Sequence, residues 1–218
     1  MSKEDVLGLL DESPNAKVLD VGCNDGSFTK EIARRINTAK IFGLEIIKEY
    51  GKVAYKNNNV NIVVADANRP FPFKDNSFDI IISNDLLEHL SSPDNFIKEA
   101  YRVLREGGCC ISSTPNLAGI HNIASLILGY QPPTATVSDV FACGNPLNPD
   151  NRQVYSFRPG LAHKRIFTAP ALKALFEFHG FKCESLIGTG LHPLPLFVSR
   201  YVRVARYSAI ITIKAFKR

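Results

Sequence analysis

The chain has 218 residues, of which 45% are hydrophobic and 22% are charged, so the composition excludes a disordered, collagen-like or disulfide-stapled chain and suffices for one packed domain. The net charge of +5 is divided unevenly: residues 1–106 hold 14 basic and 17 acidic residues, whereas residues 107–218 hold 12 basic and 4 acidic ones. This asymmetry favours an anionic partner for the C-terminal half, such as a nucleic acid, a membrane surface or a phosphorylated substrate.

The first half of the chain alternates between short apolar runs and segments of helical period. A capping box at Ser2 and Asp5 predicts a short first helix that ends near Ser13. Five apolar runs predict strands at residues 17–21, 40–44, 60–65, 78–83 and 109–114. Helices are expected between the strands, and one of them is bounded by Pro93 at its start and Gly107 at its end. Because continuous apolar strands alternate with helices, the pattern predicts a doubly wound α/β fold with a parallel sheet.

The second half is less regular, and we interpret it as an insertion followed by helix and strand units. An apolar helix at 118–128 precedes a stretch rich in Pro, Asn and Gly, and long irregular stretches are typical of lids and binding loops. A helix capped by Thr168 and closed by Gly180 comes next, and a β-branched run predicts a last strand. The chain is therefore expected to be a single domain, 1–218, with three parts: a cofactor-binding half (16–115), an acceptor lid (116–165) and C-terminal helix and strand units (166–218).

A glycine-rich turn is the most informative feature of the sequence. Residues 18–28, VLDVGCNDGSF, are typical of a strand, a turn and the first turn of a helix. Gly22 and Gly26 would let the backbone approach a ligand closely, at the point where the N–H groups of the helix also face. The pattern GCNDG is not the GxGxxG of dinucleotide-binding enzymes. A nucleotide-like ligand is therefore expected, and the alternative is a tight turn that binds nothing.

Acidic residues at the ends of the next two strands agree with a nucleoside ligand. Glu45 ends the second strand, 23 residues after Gly22, where a carboxylate would accept hydrogen bonds from both ribose hydroxyls. Asp66 ends the third strand, where its carboxylate could accept a bond from the exocyclic amine of adenine. The N–H of Ala67 would then be free for a ring nitrogen.

These residues resemble the class I S-adenosylmethionine (SAM)-dependent methyltransferases, in particular the small-molecule group similar to the ubiquinone- and menaquinone-biosynthesis enzymes. The resemblance includes VLDVGCNDG, GLE, ADA, PFKDNSFDIIISNDLLEHL and LREGG, in that order. It implies a seven-stranded Rossmann-like sheet with an insertion after strand five, and SAM as the cofactor. Carried over by position, it implies that the cofactor is bound by Asp20, Gly22, Cys23, Asn24, Gly26, Glu45, Asp66, Ala67 and Asn84. Many relatives have Gly where this chain has Asn24, which tolerates the same left-handed backbone.

Methyl transfer from a sulfonium needs alignment and, for a poor nucleophile, a base, so no metal is expected. Two histidines are the candidate catalytic residues. His89 follows the fourth strand in DLLEHL, and His163 lies in a basic stretch that could bind an anionic group of the acceptor. Both could also be structural, as a helix start and part of a solvated loop. A further alternative is a divalent ion, because Asp85, Glu88 and His89 have a spacing similar to the E-x-x-E-H metal site of two branches of the family.

The basic segment 194–207 leaves two interpretations open. Its three arginines at three-residue intervals fit a helix on an anionic membrane, but the plainer interpretation is an ordinary covering helix before the last strand. Nucleic acid is not favoured as a partner, since no RNA-binding module is recognisable. Five cysteines without a CxxC pair, and a start unlike a signal peptide, predict a soluble cytoplasmic protein.

We therefore expect SAM-dependent methylation of a small acceptor with an anionic or lipid-like portion. One alternative is an RNA 2′-O-methyltransferase. The other is a protein that binds SAM without catalysis.

Overall fold

A computed structural model describes residues 2–138, 140–148, 162–191 and 204–218. The strands of this part of the chain are β1 (Val18–Val21), β2 (Ile41–Glu45), β3 (Asn61–Val64), β4 (Phe78–Asn84), β5 (Leu104–Pro115), β6 (Phe181–Thr189) and β7 (Ile210–Lys217). The helices are α1 (Ser2–Gly8), α2 (Ser27–Ile36), α3 (Lys48–Asn58), α4 (Pro93–Val103), α5 (Ile120–Ile127) and α6 (Ala169–Phe178). One 3₁₀ turn, Leu87–His89, follows β4.

The described strands form one seven-stranded sheet in the order β3-β2-β1-β4-β5-β7-β6. The first five strands are parallel, and β7 runs antiparallel to both of its neighbours. Strand β1 lies in the middle, and all four of its residues are buried. The predicted doubly wound fold is therefore confirmed, and the last strand is antiparallel to its neighbours.

Apolar side chains cover the sheet on both faces, which explains why its central strands are apolar without alternation. One core cluster joins Phe96 of α4 and Phe176 of α6 to Phe78 and other apolar residues of the sheet. The other joins Val6 of α1 and Ile32 of α2 to the opposite face. The two clusters hold the carboxyl ends of β1 and β4 side by side, where polar residues begin.

Helix α6 agrees with its sequence signals, because the Thr168 hydroxyl accepts a hydrogen bond from the Ala171 N–H and Gly180 follows with a φ of 94°. The predicted end of α4 near Gly107 was wrong. Leu104 already pairs with Phe78 of β4, so β5 begins directly after the helix. The first helix was also predicted too long, since α1 ends at Gly8.

The predicted helix at 118–128 corresponds to α5. Residues 139 and 149–161 of the predicted lid, and residues 194–203 of the basic segment, lie outside the described residues. Residues 205–207, at the end of the basic segment, form a turn. Within the described part of the chain, no helix is long and apolar enough to cross a membrane. The division into a cofactor-binding half, a lid and C-terminal units stays a prediction.

Candidate functional site

A cavity of about 680 Å³ opens beside the carboxyl ends of β1 and β4. Its volume falls in the range of about 300–1,000 Å³ that is usual for small-molecule sites. Five of the predicted site residues border it: Asp20, Gly22, Cys23, Asn24 and Asn84. Residues that the sequence did not single out also border it, among them Lys3 of α1 and Tyr50 of α3.

The glycine-rich turn between β1 and α2 has the backbone shape that its residues predicted. Gly22, Asn24 and Gly26 all have a left-handed backbone, with φ of 78°, 50° and 76°. A Cβ atom on Gly26 would lie 2.8 Å from the Ala54 Cβ of α3, closer than real carbon atoms approach. The glycine therefore permits both the turn and the close packing of α3 behind it.

Glu45 ties the end of β2 to this turn. Its buried carboxylate accepts a hydrogen bond from the Asn24 N–H at Oε2 and another from the Ile47 N–H at Oε1, both at 2.9 Å. Glu45 and Gly26 are not among the described residues that border the cavity. A carboxylate has about four acceptor positions, so two remain for a ligand.

Asp20 is the buried acid at the end of β1. The Thr29 hydroxyl donates to its Oδ2 at 2.6 Å. Burial raises the pKa of Asp20 to about 7, and the nearby Glu45 charge adds to the rise, although the Thr29 bond opposes it. Burial also raises the pKa of the Cys23 thiol above its usual range, so Cys23 stays a neutral thiol at pH 7.

Asp66 and Ala67 follow β3, and neither is among the described residues that border the cavity. Asp66 Oδ1 accepts hydrogen bonds from the backbone and side-chain nitrogens of Asn68, both at 2.9 Å. Ala67 is buried, with 7% of its surface exposed. The Asp66 carboxylate thus shapes the loop after β3, and its second oxygen carries no hydrogen bond from Asn68.

Asn84 ends β4, and with Asp85, the residue that follows, it connects three elements. Asn84 Oδ1 accepts from the Ser113 hydroxyl of β5 at 3.0 Å, and Asn84 Nδ2 donates to Asp85 Oδ2 at 2.9 Å. The Ser2 hydroxyl of α1 donates to the same Asp85 oxygen at 2.8 Å. Asp85 has a φ of 53°, an unusual backbone for a residue other than Gly. These bonds fix α1 against the end of β4.

A second polar group, formed by Glu88, His89 and His163, lies just beyond β4. Each of these residues has a ligand atom within 4.8 Å of the others, and the two imidazole rings are 5.0 Å apart between centroids. The Thr114 hydroxyl of β5 donates to Glu88 Oε2 at 3.0 Å. Burial raises the pKa of Glu88 to about 8, and the charge of Asp85 adds to the rise.

The structure thus brings together the two predicted histidines, which are 74 positions apart in the chain. His163 Nδ1 lies 2.7 Å from the Thr134 carbonyl oxygen, so it carries the proton and leaves Nε2 as an acceptor in the neutral ring. The backbone N–H groups of Lys164 and Arg165 donate to the Glu88 carbonyl oxygen, which holds this segment beside His89.

Two imidazoles and a carboxylate can accept a proton from a substrate or coordinate a divalent cation. In the alternative metal site weighed from the sequence, Asp85 was the first ligand. In the structure, the third residue whose ligand atom lies near those of Glu88 and His89 is His163. The Asp85 carboxylate accepts bonds from Ser2 and Asn84 instead. Sequence spacing could not have revealed His163 as the third member.

Comparisons with known proteins identify a matching family model and several relatives. Residues 19–112 match the family model described as "Methyltransferase domain". The cycloartenol-C-24-methyltransferase 1 of Oryza sativa is 38% identical over 103 residues, covering 44% of this chain and 29% of the relative. The ubiquinone biosynthesis O-methyltransferase of Pelagibacter ubique is 32% identical over 106 residues, covering 47% of this chain and 43% of the relative. The chain spans less than half the length of both.

Among solved structures, a SAM-dependent methyltransferase of Thermotoga maritima, described as a possible histamine N-methyltransferase, has the same fold. It superimposes with a TM-score of 0.68 at 18% identity, covering 100% of this chain and 88% of that one. The matched residues 19–112 include the glycine-rich turn, Glu45, Asp66 and Asn84. Residues 19–112 therefore match a methyltransferase domain, and the described part of the chain has the fold of SAM-dependent methyltransferases, enzymes whose cofactor is S-adenosylmethionine.

Proposed function

We propose that this chain transfers the methyl group of SAM to a small-molecule acceptor. The observation that carries the proposal is the cavity of about 680 Å³ bordered by residues 22–25 of the glycine-rich turn and by the buried Asp20. A ligand with ammonium and ribose groups suits a site that places acidic side chains at the ends of neighbouring strands beside a glycine-rich turn.

The residues present fit SAM. Gly22 borders the cavity, and the turn and Asp20 would hold the methionine part. Glu45 would accept bonds from the ribose with the two acceptor positions that its backbone partners leave free. Asp66 and Ala67 would face the adenine, and Asn84 the sulfonium. When bound, SAM supplies a methyl group on an already activated leaving group, so the chain has mainly to align the acceptor.

For the acceptor we propose the side of the site near His89 and His163. Nε2 of His163, an acceptor in the neutral ring, is suited to take the proton that a hydroxyl or amine acceptor loses on methylation. Lys164 and Arg165 lie beside this group, and their exposed charges favour an acceptor with an anionic portion. Two of the relatives are named for cycloartenol and for ubiquinone biosynthesis, which supports testing lipid-like acceptors first.

A divalent cation on Glu88, His89 and His163 is the competing way for this group to act on an acceptor. Treatment with a strong chelator distinguishes the two. Activity that survives the chelator supports proton removal by imidazole, whereas activity lost to the chelator and restored by Zn²⁺ or Mg²⁺ supports a metal site.

The test of the function combines binding with transfer. Calorimetry should show SAM binding, and methyl-labelled SAM incubated with cell extract should label the lipid or small-molecule fraction. A nuclease-sensitive product would select RNA methylation instead. Binding without label in any fraction would select a SAM-binding protein without catalysis, and no binding at all would refute the proposal.

A further inference from the structure

Helix α1 forms part of the wall of the cavity, although it lies outside the residues 19–112 that the family model matches. Its Ser2 hydroxyl bonds to Asp85 at 2.8 Å, and Val6 on its inner face is fully buried with Ile32 and Ile36 of α2. The helix is therefore fixed at both a polar and an apolar contact. Lys3, which follows Ser2 in α1, borders the cavity.

The position of the Lys3 ammonium is defined by its neighbours. Its Nζ lies 5.1 Å from the ring centroid of Phe28, a residue of α2 that also borders the cavity. The charge of Lys3 is close enough to lower the pKa of both Asp20 and Asp25, although neither effect is the largest at its site. The ammonium thus faces the end of the cavity formed by the turn after β1.

The charges around the cavity are unbalanced. Three carboxylates border it, those of Asp20, Asp25 and Asp85, and Lys3 is the one positively charged residue among the described residues that do so. The methionine end of SAM carries an ammonium group and a carboxylate. The acidic residues suit the ammonium group, but they would repel the carboxylate unless a cation compensated them.

We propose that Lys3 binds the methionine carboxylate of SAM and makes the site selective for the intact amino-acid end of the cofactor. This inference rests on the proposed function, since it assigns a group within the same cavity. It also gives α1 a role: the Ser2 bond to Asp85 places the neighbouring Lys3 where the ligand needs a positive charge.

The experiment compares two ligands that differ only in the carboxylate, SAM and decarboxylated SAM. Their dissociation constants are measured by calorimetry for the wild type, for Lys3→Met and for Lys40→Met. Lys40 is the matched control because it removes the same charge at the opposite end of β2, where its Nζ donates to the Asn15 carbonyl oxygen at 3.3 Å. Circular dichroism checks that each variant is folded.

We expect Lys3→Met to weaken SAM binding by about fivefold, the effect of a partly exposed ion pair, and to leave decarboxylated SAM within about twofold. Lys40→Met should change neither constant, and Lys3→Arg should keep the preference for SAM. An equal loss for both ligands, or no loss for SAM, would overturn the assignment of Lys3 alone. If the wild type binds neither ligand, the proposed function fails and this inference fails with it.

Discussion

Replacement of Glu45 by Gln tests the candidate site most directly, because this carboxylate is proposed to do two things at once. In the structure it accepts two backbone N–H bonds, from Asn24 and Ile47, each at 2.9 Å. In the proposal it also accepts bonds from the ribose of SAM. Glu45→Gln keeps the size of the side chain, removes the charge and turns one acceptor oxygen into a donor that faces another N–H donor.

The expected losses follow from these bonds. One hydrogen bond to a charged group is lost, so the free energy of unfolding should fall by about 2 kcal/mol. In a domain of this size that lowers the Tm by about 4–8 °C. Loss of the ribose bond should cost about 1–3 kcal/mol of binding, so the Kd for SAM should rise by about fivefold to 150-fold.

Urea unfolding and calorimetry with SAM measure the two effects separately, provided that binding is measured well below the Tm of the variant. Glu49→Gln is the control, since Glu49 is exposed in the first turn of α3 and should change neither quantity. A variant that is less stable but binds SAM as tightly as the wild type would show that Glu45 only supports the turn. The ribose assignment would then be wrong.

Three further changes have defined outcomes. Gly26→Ala should lower the free energy of unfolding in urea by about 2–4 kcal/mol, since its Cβ would press on Ala54 at a left-handed φ, whereas Gly8→Ala, with open space around it, should not. Without ligand, stability should fall as pH rises from about 4 to 7, because the folded chain keeps the proton of Asp20 up to a pKa of about 7 while the unfolded chain releases it near 4. Urea titrations of Asp20→Asn should lack this component, which amounts to at most about 1.4 kcal/mol per pH unit. His163→Asn should reduce turnover while the Kd for SAM stays within about twofold, and an unchanged rate would exclude its role as a base.

The elements that could be predicted from the sequence are those whose signals are local. Thr168 and Gly180 bound α6 because a cap and a left-handed glycine act within one turn of the helix. The strands followed from runs of apolar residues that are buried on both faces. The end of α4 was missed because pairing of Leu104 with Phe78 of β4, a tertiary contact, decides it.

The composition of the site was only partly predictable for the same reason. The glycine-rich turn and Glu45 belong to a short, recurrent pattern, so their places could be expected. The contact of His163 with His89, and the bond from Ser2 to Asp85, join residues more than 70 positions apart. No local pattern encodes such contacts. They depend on the packing of α1 on the sheet and on the bonds from the Lys164 and Arg165 N–H groups to the Glu88 carbonyl oxygen.

The end of β4 explains how the two halves of the proposed site can act on one another. Asn84 and Asp85 border the cavity, and Glu88 and His89 of the next turn belong to the group proposed for the acceptor. Strand β4 is paired on both sides, with β1 and β5, so its end moves little relative to the sheet. Methyl transfer depends on the alignment of donor and acceptor within a few tenths of an ångström. In the proposed site, a rigid segment 84–89 would hold the residues near SAM at a fixed distance from those near the acceptor, and this would favour the reaction. In the proposed site, the left-handed backbone of Asp85 would turn the chain from the side of SAM to the side of the acceptor, and the bonds of Asp85 to Ser2 and Asn84 hold that turn in place.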